Sequence, residues 1–282
     1  MDGLEFDLDM VVVKIGDGLG NQLYNYACGY AVAKQTGESL KLDTSECDNS
    51  GYREYMLDKF AIDKCERESF PNKTILQKVF KRLRRNIKYH VIKENPKTYS
   101  VYDERVYRKP FVRPRYLYGY WQNIRYFETV EDDIRRQFQP NYPQTELVQN
   151  LILKFKNSNC CAIHMRGQDI AMPESDYFRH AVDYIVSKRP GCEFYVFTND
   201  AEQAKIRLDK LAGVSYKLVS ELGVFSDLDE FFMISACQNQ IISNSTYSRW
   251  AAVLNDYHEK IVIAPTHNNK NDEEYPSEWI KL

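Results

Sequence analysis

The sequence lacks the features that mark several large classes of protein. No apolar run reaches the roughly eighteen residues that a membrane-spanning helix requires. The first ten residues, MDGLEFDLDM, are acidic and do not show the basic and then apolar order of a secretory signal. The 38 basic and 40 acidic side chains leave a formal charge of −2, which disfavours general nucleic-acid binding because that binding depends on neutralising phosphates. We therefore expect a cytoplasmic protein that has no nucleic-acid partner.

Cysteine is present, but without the spacing of a disulfide framework or a zinc site. The seven cysteines form no C-x-x-C pair and no pattern shared with histidine. Their odd number and apolar neighbours indicate small buried residues in a reducing compartment, and no metal site is expected. They are Cys28, Cys47, Cys65, Cys160, Cys161, Cys192 and Cys237.

The order of apolar runs and glycines predicts an α/β fold. The 282 residues, of which 43% are apolar, suffice for one large or two modest cores. A β-branched run at Met10–Ile15, a glycine turn, a helical pattern ending at Gly37 and a strand at Ser39–Leu42 resemble the opening of a Rossmann unit. The second half repeats this alternation, which predicts a parallel sheet covered on both faces. Its predicted strands are Cys160–His164, Glu193–Thr198, Ser215–Val219, Gln240–Ser243 and Lys260–Ala264, and its predicted helices are Asp176–Lys188, Asp200–Leu211, Asp227–Cys237 and Tyr247–Tyr257.

Residues 73–93 form a basic segment between the two regular halves. They contain no acidic side chain and eight basic ones, namely Lys73, Lys78, Lys81, Arg82, Arg84, Arg85, Lys88 and Lys93. Apolar residues at helical spacing make the segment a basic amphipathic helix: Leu76, Val79, Phe80, Leu83 and Ile87. Two interpretations stay open, a solvated helix packed on its own domain and contact with a membrane surface or a lipid-linked substrate.

The first loop with chemical potential is GDGLGNQ, which begins at Gly16 directly after a strand. Glycines let a ligand approach the backbone, and the N–H groups of a first helical turn favour a phosphate. Asn21 replaces the third glycine of the dinucleotide fingerprint, whereas Asp43 stands where that fingerprint has its ribose-binding acid. The alternative is a tight turn that packs helix on strand, although packing would not select the polar pair of Asn21 and Gln22.

Further loops follow strands of the second half. His164 and Arg166 point to one side of a strand end, where open α/β sheets bind ligands, and a guanidinium suits a diphosphate. An arginine that only pairs with a helix carboxylate is the alternative. Ser243–Ser248 offers hydroxyl groups for a helix cap or for an anion site. The loop at Asn199 and Asp200 is a weaker site of this kind or only a cap at Asp200. These loops predict a nucleotide diphosphate bound between two α/β lobes.

At these residues the sequence resembles the family-11 α-1,2-fucosyltransferases along nearly the whole chain. The segments that carry the resemblance are GDGLGNQLYNYACGYAVAKQTG, KLDTS, YGYWQNIRYFETVEDDIRRQF, HMRGQD, YVFTND, ISNSTYSRWAAVLN and KIVIAP. The resemblance implies a GT-B architecture, with two Rossmann-like domains facing across a cleft and no essential metal. It implies an acceptor-side domain at 1–155, a nucleotide-sugar domain at 156–265, and a tail at 266–282 that can pack back on the first domain.

The resemblance also implies roles for individual residues. Arg166 matches the first arginine of a His-x-Arg-Arg-x-Asp motif that grips the donor diphosphate, and His164 and Asp169 match the ends of that motif. Asn21 matches the asparagine of a Gly-x-Gly-Asn-Gln motif beside the fucosyl–phosphate bond. The other residues expected to contact the donor are Gly18, Gly20, Asn199, Asp200, Asn244, Ser245, Thr246 and Ser248. The chain departs from the family at Gly167, where the family has a second arginine.

The implied activity is inverting transfer of L-fucose from GDP-β-L-fucose to the 2-hydroxyl of a galactose-ended glycan. GDP-fucose is the donor substrate, no cofactor is expected, and His164 or Asp169 is the candidate for accepting the proton. The product would be an oligosaccharide or a surface polysaccharide.

Three other classes of function stay open. Asp43 favours a dinucleotide-binding oxidoreductase, and Gly167 favours a non-catalytic sugar-nucleotide or glycan binder. A metal-dependent transferase would use Asp227 and Asp229, which have D-x-D spacing but open a predicted helix. An aromatic series predicts either an acceptor-stacking face or a half-buried strand: Tyr116, Tyr118, Tyr120 and Trp121.

Overall fold

The computed structural model describes residues 9–51, 53–71, 73–95, 100–108, 113–166, 175–208, 214–266 and 275–282. Contacts between Cα atoms divide the chain into two compact units, with the main division between Asn141 and Tyr142. The boundary predicted at residue 155 falls near the end of helix Glu146–Lys156, whereas the observed division precedes this helix. The helix belongs to the second unit. Which unit takes the acceptor and which takes the donor stays a prediction.

The first unit contains a five-stranded parallel sheet. Its strands are β1 (Met10–Lys14), β2 (Ser39–Asp43), β3 (Glu66–Glu68), β4 (His90–Lys93) and β5 (Arg115–Tyr118), in the order β3-β2-β1-β5-β4. Its helices are α1 (Leu19–Thr36), α2 (Ser45–Ser50), α3 (Ile75–Lys88) and α4 (Glu131–Gln137). Short 3₁₀ turns lie at Leu57–Lys59, Glu104–Tyr107, Ile124–Tyr126 and Glu128–Val130.

Helix α1 is buried against β1, whose Val11, Val12 and Val13 are fully inaccessible. Gly29 permits this packing, since a Cβ there would lie 2.8 Å from the Val13 side chain. The helix ends at Gly37, whose φ of 72° is a left-handed conformation that glycine adopts without strain. The sequence thus places the glycine loop and the first turn of α1 at the carboxyl end of β1.

The second unit contains a six-stranded sheet, also parallel throughout. Its strands are β6 (Cys160–Met165), β7 (Glu193–Thr198), β8 (Tyr216–Leu218), β9 (Asn239–Ile241), β10 (Val262–Ala264) and β11 (Ile280–Lys281), in the order β11-β10-β9-β6-β7-β8. Its helices are α5 (Glu146–Lys156), α6 (Ser175–Lys188), α7 (Ala201–Leu208), α8 (Asp227–Ala236) and α9 (Thr246–Leu254). A 3₁₀ turn lies at Val219–Glu221.

These two parallel sheets with their helices confirm the predicted α/β class with two Rossmann-like units. All five strands predicted for the second half are present, because β-branched and aromatic runs bounded by turns are a strong local signal. The final residues form β11, which pairs with β10 of the second sheet. The seven cysteines are free thiols. Within the described ranges, no helix combines the length and the apolar character that a bilayer crossing demands.

Candidate functional site

The second sheet reverses its strand order between β6 and β9. From β6 the chain proceeds to β7 and β8 on one side, and it then returns to place β9 on the other side. Ligands of open α/β sheets bind outside the carboxyl ends of the strands at such a reversal. His164 lies at the end of β6, and its Nδ1 lies 2.9 Å from the Oγ of Ser243, which follows β9. The structure therefore brings together two of the loops that the sequence singled out.

His164 is held in its neutral form. Burial, and then the positive charge of Arg166, lower the pKa of the imidazole to about 3. The centroids of the His164 and Tyr247 rings are 5.4 Å apart. Because so weak a base accepts a proton poorly near neutral pH, His164 fits a positioning role better than the role of a proton acceptor.

Arg166 comes directly after β6 and is partly exposed. Its charge acts on His164 and also on Tyr247, where it opposes the rise of the phenol pKa that burial causes. The guanidinium therefore lies near the first turn of α9. Gly167 and Asp169, the other motif positions, lie outside the described residues.

The amino terminus of α9 has the properties of an anion site. Ser245 precedes the helix and is 2% exposed, yet its hydroxyl makes no capping bond. Within the described part of the chain, Ser245 Oγ is buried without a hydrogen-bond partner, and this hydroxyl can donate to an anion. The N–H groups of a first helical turn have no partner inside the helix and carry partial positive charge, so they attract a phosphate. Of the two interpretations of this loop, the missing cap at Ser245 favours the anion site over the helix cap.

The other residues predicted in this loop occupy different environments. Thr246 is partly exposed at the first position of α9. Ser248 is fully buried, and its hydroxyl donates a hydrogen bond of 3.3 Å to the Ser245 carbonyl. Ser248 therefore stabilises the first helical turn.

The loop after β7 is mainly a helix cap. Asp200 Oδ1 accepts a hydrogen bond of 3.1 Å from the backbone N–H of Gln203, and Thr198 Oγ1 accepts one of 3.0 Å from the N–H of Asp200. Asn199 is exposed beside them. Because β7 pairs with β6 through Thr198 and Met165, this loop lies beside the strand end that carries Arg166.

The first sheet has a reversal of its own, between β1 and β5. There Gln122 donates a hydrogen bond of 2.9 Å from Nε2 to Asn21 Oδ1. Both side chains are partly exposed. Gly18 is the residue before α1, and a Cβ there would meet nothing within 4 Å, while Gly20 is buried in the first turn. Asn21 thus lies at the ligand-binding edge of its sheet.

The expectation that packing would not select the polar pair of Asn21 and Gln22 is wrong for Gln22. Gln22 is fully buried and donates to the carbonyls of Asp17 (2.9 Å) and Glu54 (2.7 Å). Its Oε1 accepts from the N–H of Met56 at 2.9 Å. Helix packing does select this polar side chain, because it satisfies backbone groups of two loops.

Glu94, which sequence reasoning missed, holds the backbone just before Gln122. Trp121 has φ of 55°, a conformation that a bulky residue rarely adopts and that surrounding contacts must impose. Glu94 imposes it, since its carboxylate accepts the N–H groups of Tyr120 (2.6 Å) and Trp121 (3.2 Å). Burial raises the pKa of Glu94, although these two hydrogen bonds oppose the rise. Only the long-range topology brings β4 beside β5, so no local pattern reveals this contact.

Asp43 is fully engaged inside the first unit. Its carboxylate accepts from the Tyr116 hydroxyl at 2.5 Å and from the N–H of Ser45 at 3.0 Å, and it pairs with Lys81 at 3.1 Å. Burial tends to raise the pKa of Asp43, but Lys81 and the hydrogen bonds hold it below the usual range. A carboxylate with these partners has little capacity left for a ribose, which argues against the dinucleotide-binding alternative.

The aromatic series and the D-x-D pair have structural roles. Tyr116 and Trp121 are buried, and the Arg85 guanidinium lies over the Tyr118 ring at 4.5 Å, which favours the strand interpretation. Asp229 belongs to a capping box with Ser226, at 2.6 Å from the serine hydroxyl. Among the residues that the structure describes, no group of three or more histidine, cysteine or acidic side chains is arranged to hold a metal.

Known glycosyltransferases match this chain over nearly its whole length. Residues 10–282 match glycosyl transferase family 11. The chain is 26% identical to an alpha-1,2-colitosyltransferase of Escherichia coli, over 98% of this chain and 99% of that one. It is 28% identical to the O-antigen biosynthesis glycosyltransferase WbnK of Escherichia coli, over 95% and 99% of the two chains.

Solved structures agree at the level of the fold. The fucosyltransferase NodZ from Bradyrhizobium matches with a TM-score of 0.52 and 17% identity, over 87% of this chain and 93% of that one. An Arabidopsis thaliana FUT1 mutant in complex with GDP matches with a TM-score of 0.51 and 14% identity, over 92% and 71% of the two chains. These likenesses confirm the predicted GT-B fold class.

Proposed function

Because the chain belongs to glycosyl transferase family 11 and is therefore a glycosyltransferase, we propose that it transfers L-fucose from GDP-β-L-fucose to the 2-hydroxyl of a galactose-ended glycan. The observation that supports this proposal most is the start of α9, where Ser245 carries a buried hydroxyl without a capping bond near the charge of Arg166. This arrangement suits the diphosphate of a nucleotide sugar.

The chemistry of the leaving group explains the choice of residues. When the bond from fucose to GDP breaks, negative charge develops on the diphosphate, and fixed hydrogen-bond donors stabilise that charge without reorganising. Arg166 supplies two parallel donors and a permanent positive charge. The N–H groups of α9, the Ser245 hydroxyl and the side-chain NH₂ of Asn244 supply the other donors.

Inversion from the β-linked donor to an α-fucoside requires one in-line displacement and no covalent intermediate. The galactose 2-hydroxyl attacks C1 of fucose, the bond from C1 to the phosphate oxygen breaks, and GDP leaves with its electron pair. The low pKa of His164 makes it a poor acceptor for the hydroxyl proton, so we assign it to orienting the Ser243 loop. We assign the hydroxyl proton to Asp169, the carboxylate of the motif, and we assign Asn21 to the transfer step from its place in the Gly-x-Gly-Asn-Gln motif.

A second sugar nucleotide is an alternative to GDP-fucose as the donor. The relative of 26% identity over nearly the full chain is described as an alpha-1,2-colitosyltransferase, and colitose is a sugar that lacks the 3-hydroxyl of fucose. GDP-colitose is therefore the alternative donor for this chain. WbnK, the relative named for O-antigen biosynthesis, supports a surface polysaccharide as the product in either case.

The experiment is incubation with GDP-fucose or GDP-colitose and a panel of galactose-ended glycans, followed by linkage analysis of any product. We expect an α-1,2-fucoside and a higher kcat/KM with GDP-fucose. A higher kcat/KM with GDP-colitose would transfer the proposal to that donor. GDP binding with no transfer from either donor would support a non-catalytic binder, and thermal stabilisation by NAD(H) but not GDP would support the oxidoreductase.

A further inference from the structure

Helix α3 presents its apolar face to solvent. None of its 14 residues is buried. Its large apolar side chains are each between 51% and 82% exposed, and they are Ile75, Leu76, Val79, Phe80, Leu83 and Ile87. A surface helix of a globular protein normally turns its apolar face to the core, so α3 is inverted. The helix is solvated and contacts its own unit, as one of the two open interpretations expected, but the apolar stripe is not the face that packs.

Basic side chains hold α3 to the first unit instead. Lys81 pairs with the buried Asp43 at 3.1 Å, and the Arg85 guanidinium lies 4.5 Å from the centre of the Tyr118 ring. Lys88 Nζ lies 5.0 Å from the centre of the Tyr89 ring. These residues recur on one helix face, opposite the apolar stripe. The inward contacts fix which face is outward.

The helix itself is well formed. Thr74 and Gln77 make a complete capping box at its amino terminus, and Arg85 and Lys88 lie in the last turn, where positive charge is favourable. The 14 residues extend about 21 Å at the rise of an α-helix. Apolar residues on an ordinary protein surface are scattered singly, whereas this stripe is continuous over the length of the helix. A continuous exposed apolar surface of this kind marks an interaction site.

We propose that α3 binds the surface of a lipid bilayer that contains anionic lipid. The stripe is bordered by exposed basic residues, Lys78 and Arg82 along one edge and Lys73 and Arg84 along the other. Residues 73–93 contain no acid to oppose them. An amphipathic helix of this kind lies in the bilayer interface with its apolar side chains among the acyl chains and its flanking basic groups at the phosphates.

The border of positive charge also argues against a second copy of the chain as the occupant. Face-to-face packing of two α3 stripes would place the basic edges of both copies against each other, and like charges at an interface are unfavourable. Anionic headgroups neutralise the same edges. The charge pattern thus favours lipid over self-association.

The experiment is co-sedimentation of the full chain with vesicles of phosphatidylcholine alone or mixed with phosphatidylglycerol. We expect binding to the anionic vesicles and its loss at high salt, because surface electrostatics are screened. In L76S/F80S/L83S the partition coefficient falls at least ~10-fold, since three inserted apolar side chains are removed. In K78Q/R82Q it falls about 10-fold on anionic vesicles.

Matched controls separate this effect from general loss of apolar area or charge. The triple variant L153S/V186S/I206S changes three exposed apolar residues of the second unit, and K59Q/K64Q removes two exposed charges of the first unit. Both should bind as the parent protein does. Circular dichroism and transfer to a water-soluble acceptor should be unchanged in all four variants, so that failure of membrane binding is distinct from failure of the proposed activity.

Two results would overturn the proposal. One is equal vesicle binding by the parent protein and L76S/F80S/L83S, or no binding by either. The other is a concentration-dependent dimer that L76S/F80S/L83S abolishes, without vesicle binding, which would identify the stripe as a self-association surface.

Discussion

Ser243 Oγ lies 2.9 Å from His164 Nδ1, and this contact joins the ends of the two strands between which the second sheet reverses its order. The buried imidazole is neutral, because burial and the charge of Arg166 both oppose its protonation. The contact therefore links the loop that carries Arg166 to the loop that precedes α9, and both loops supply groups of the proposed diphosphate site.

The low pKa of His164 predicts a pH dependence of stability. The pKa of a histidine in the unfolded chain is near 6.5, whereas the pKa of the folded His164 imidazole is about 3. Its contribution to stability is thus complete above the unfolded pKa and decreases as the pH falls below it. We expect a loss of about 2 kcal/mol between about pH 7 and about pH 5 from this group. Urea unfolding across this range measures it, and H164F should show a correspondingly smaller decrease; an equal decrease in both proteins would contradict the assignment.

Glu230 predicts a dependence of opposite sign. Burial, followed by the charges of Asp227 and Asp229, raises the pKa of Glu230 to about 7. The folded state therefore holds this proton more tightly than the unfolded state, and the stabilisation is lost as the pH rises through the folded pKa. We expect E230Q to have a higher melting temperature than the parent protein above pH 7 and a similar one near pH 4. A lower melting temperature for E230Q at every pH would contradict the prediction.

Two serines of the loop at α9 should respond differently to the same substitution. Ser245 buries a hydroxyl without a hydrogen-bond partner in the described chain, whereas the Ser248 hydroxyl donates to a backbone carbonyl. S245A should therefore keep the stability of the parent protein and weaken GDP binding by about 1 kcal/mol, or about fivefold. S248A should lower the free energy of unfolding by about 1 kcal/mol, with little change in GDP affinity per folded molecule. Calorimetric titration and urea unfolding test the pair, and equal effects of the two variants would refute the assignment.

The contact of Gln122 with Asn21 predicts energetic coupling in the first unit. The hydrogen bond is 2.9 Å long and joins the first turn of α1, which follows β1, to the segment after β5, and the first sheet reverses between these two strands. We expect a double-mutant cycle of N21A and Q122A to show a coupling energy of about 1 kcal/mol in the free energy of unfolding. We also expect both single variants to lower kcat, since Gln122 orients the Asn21 side chain. Additive stability effects would show that the contact contributes nothing.

The loops of the site were predictable where the signal is local. A buried run that ends in His164 and Arg166, and a hydroxyl-rich loop before a helix, are readable because strand, turn and cap each depend on neighbouring residues. Gln122 and Glu94 were not, because the contact between β4 and β5 and the position of β5 beside β1 depend on distant parts of the chain. A single sequence contains no signal for such pairings.

Helix α3 illustrates the same limit. The apolar periodicity of Leu76, Phe80 and Leu83 predicts the helix and its stripe, and the structure confirms the helix. Its orientation follows from the contact of Lys81 with Asp43 and of Arg85 with Tyr118, which join segments far apart in sequence. Periodicity identifies two faces of a helix but does not say which one packs.

We propose that Arg166 stabilises the diphosphate of the departing nucleotide. This role is tested by the kcat/KM for GDP-fucose in R166A, measured beside R179A, which removes an exposed arginine of α6. Loss of one fixed donor to a developing oxyanion typically raises the barrier by about 3 kcal/mol, so we expect a decrease of about 100-fold or more in R166A, an unchanged melting temperature, and full activity in R179A. Undiminished kcat/KM in correctly folded R166A would show that Arg166 does not stabilise the leaving diphosphate.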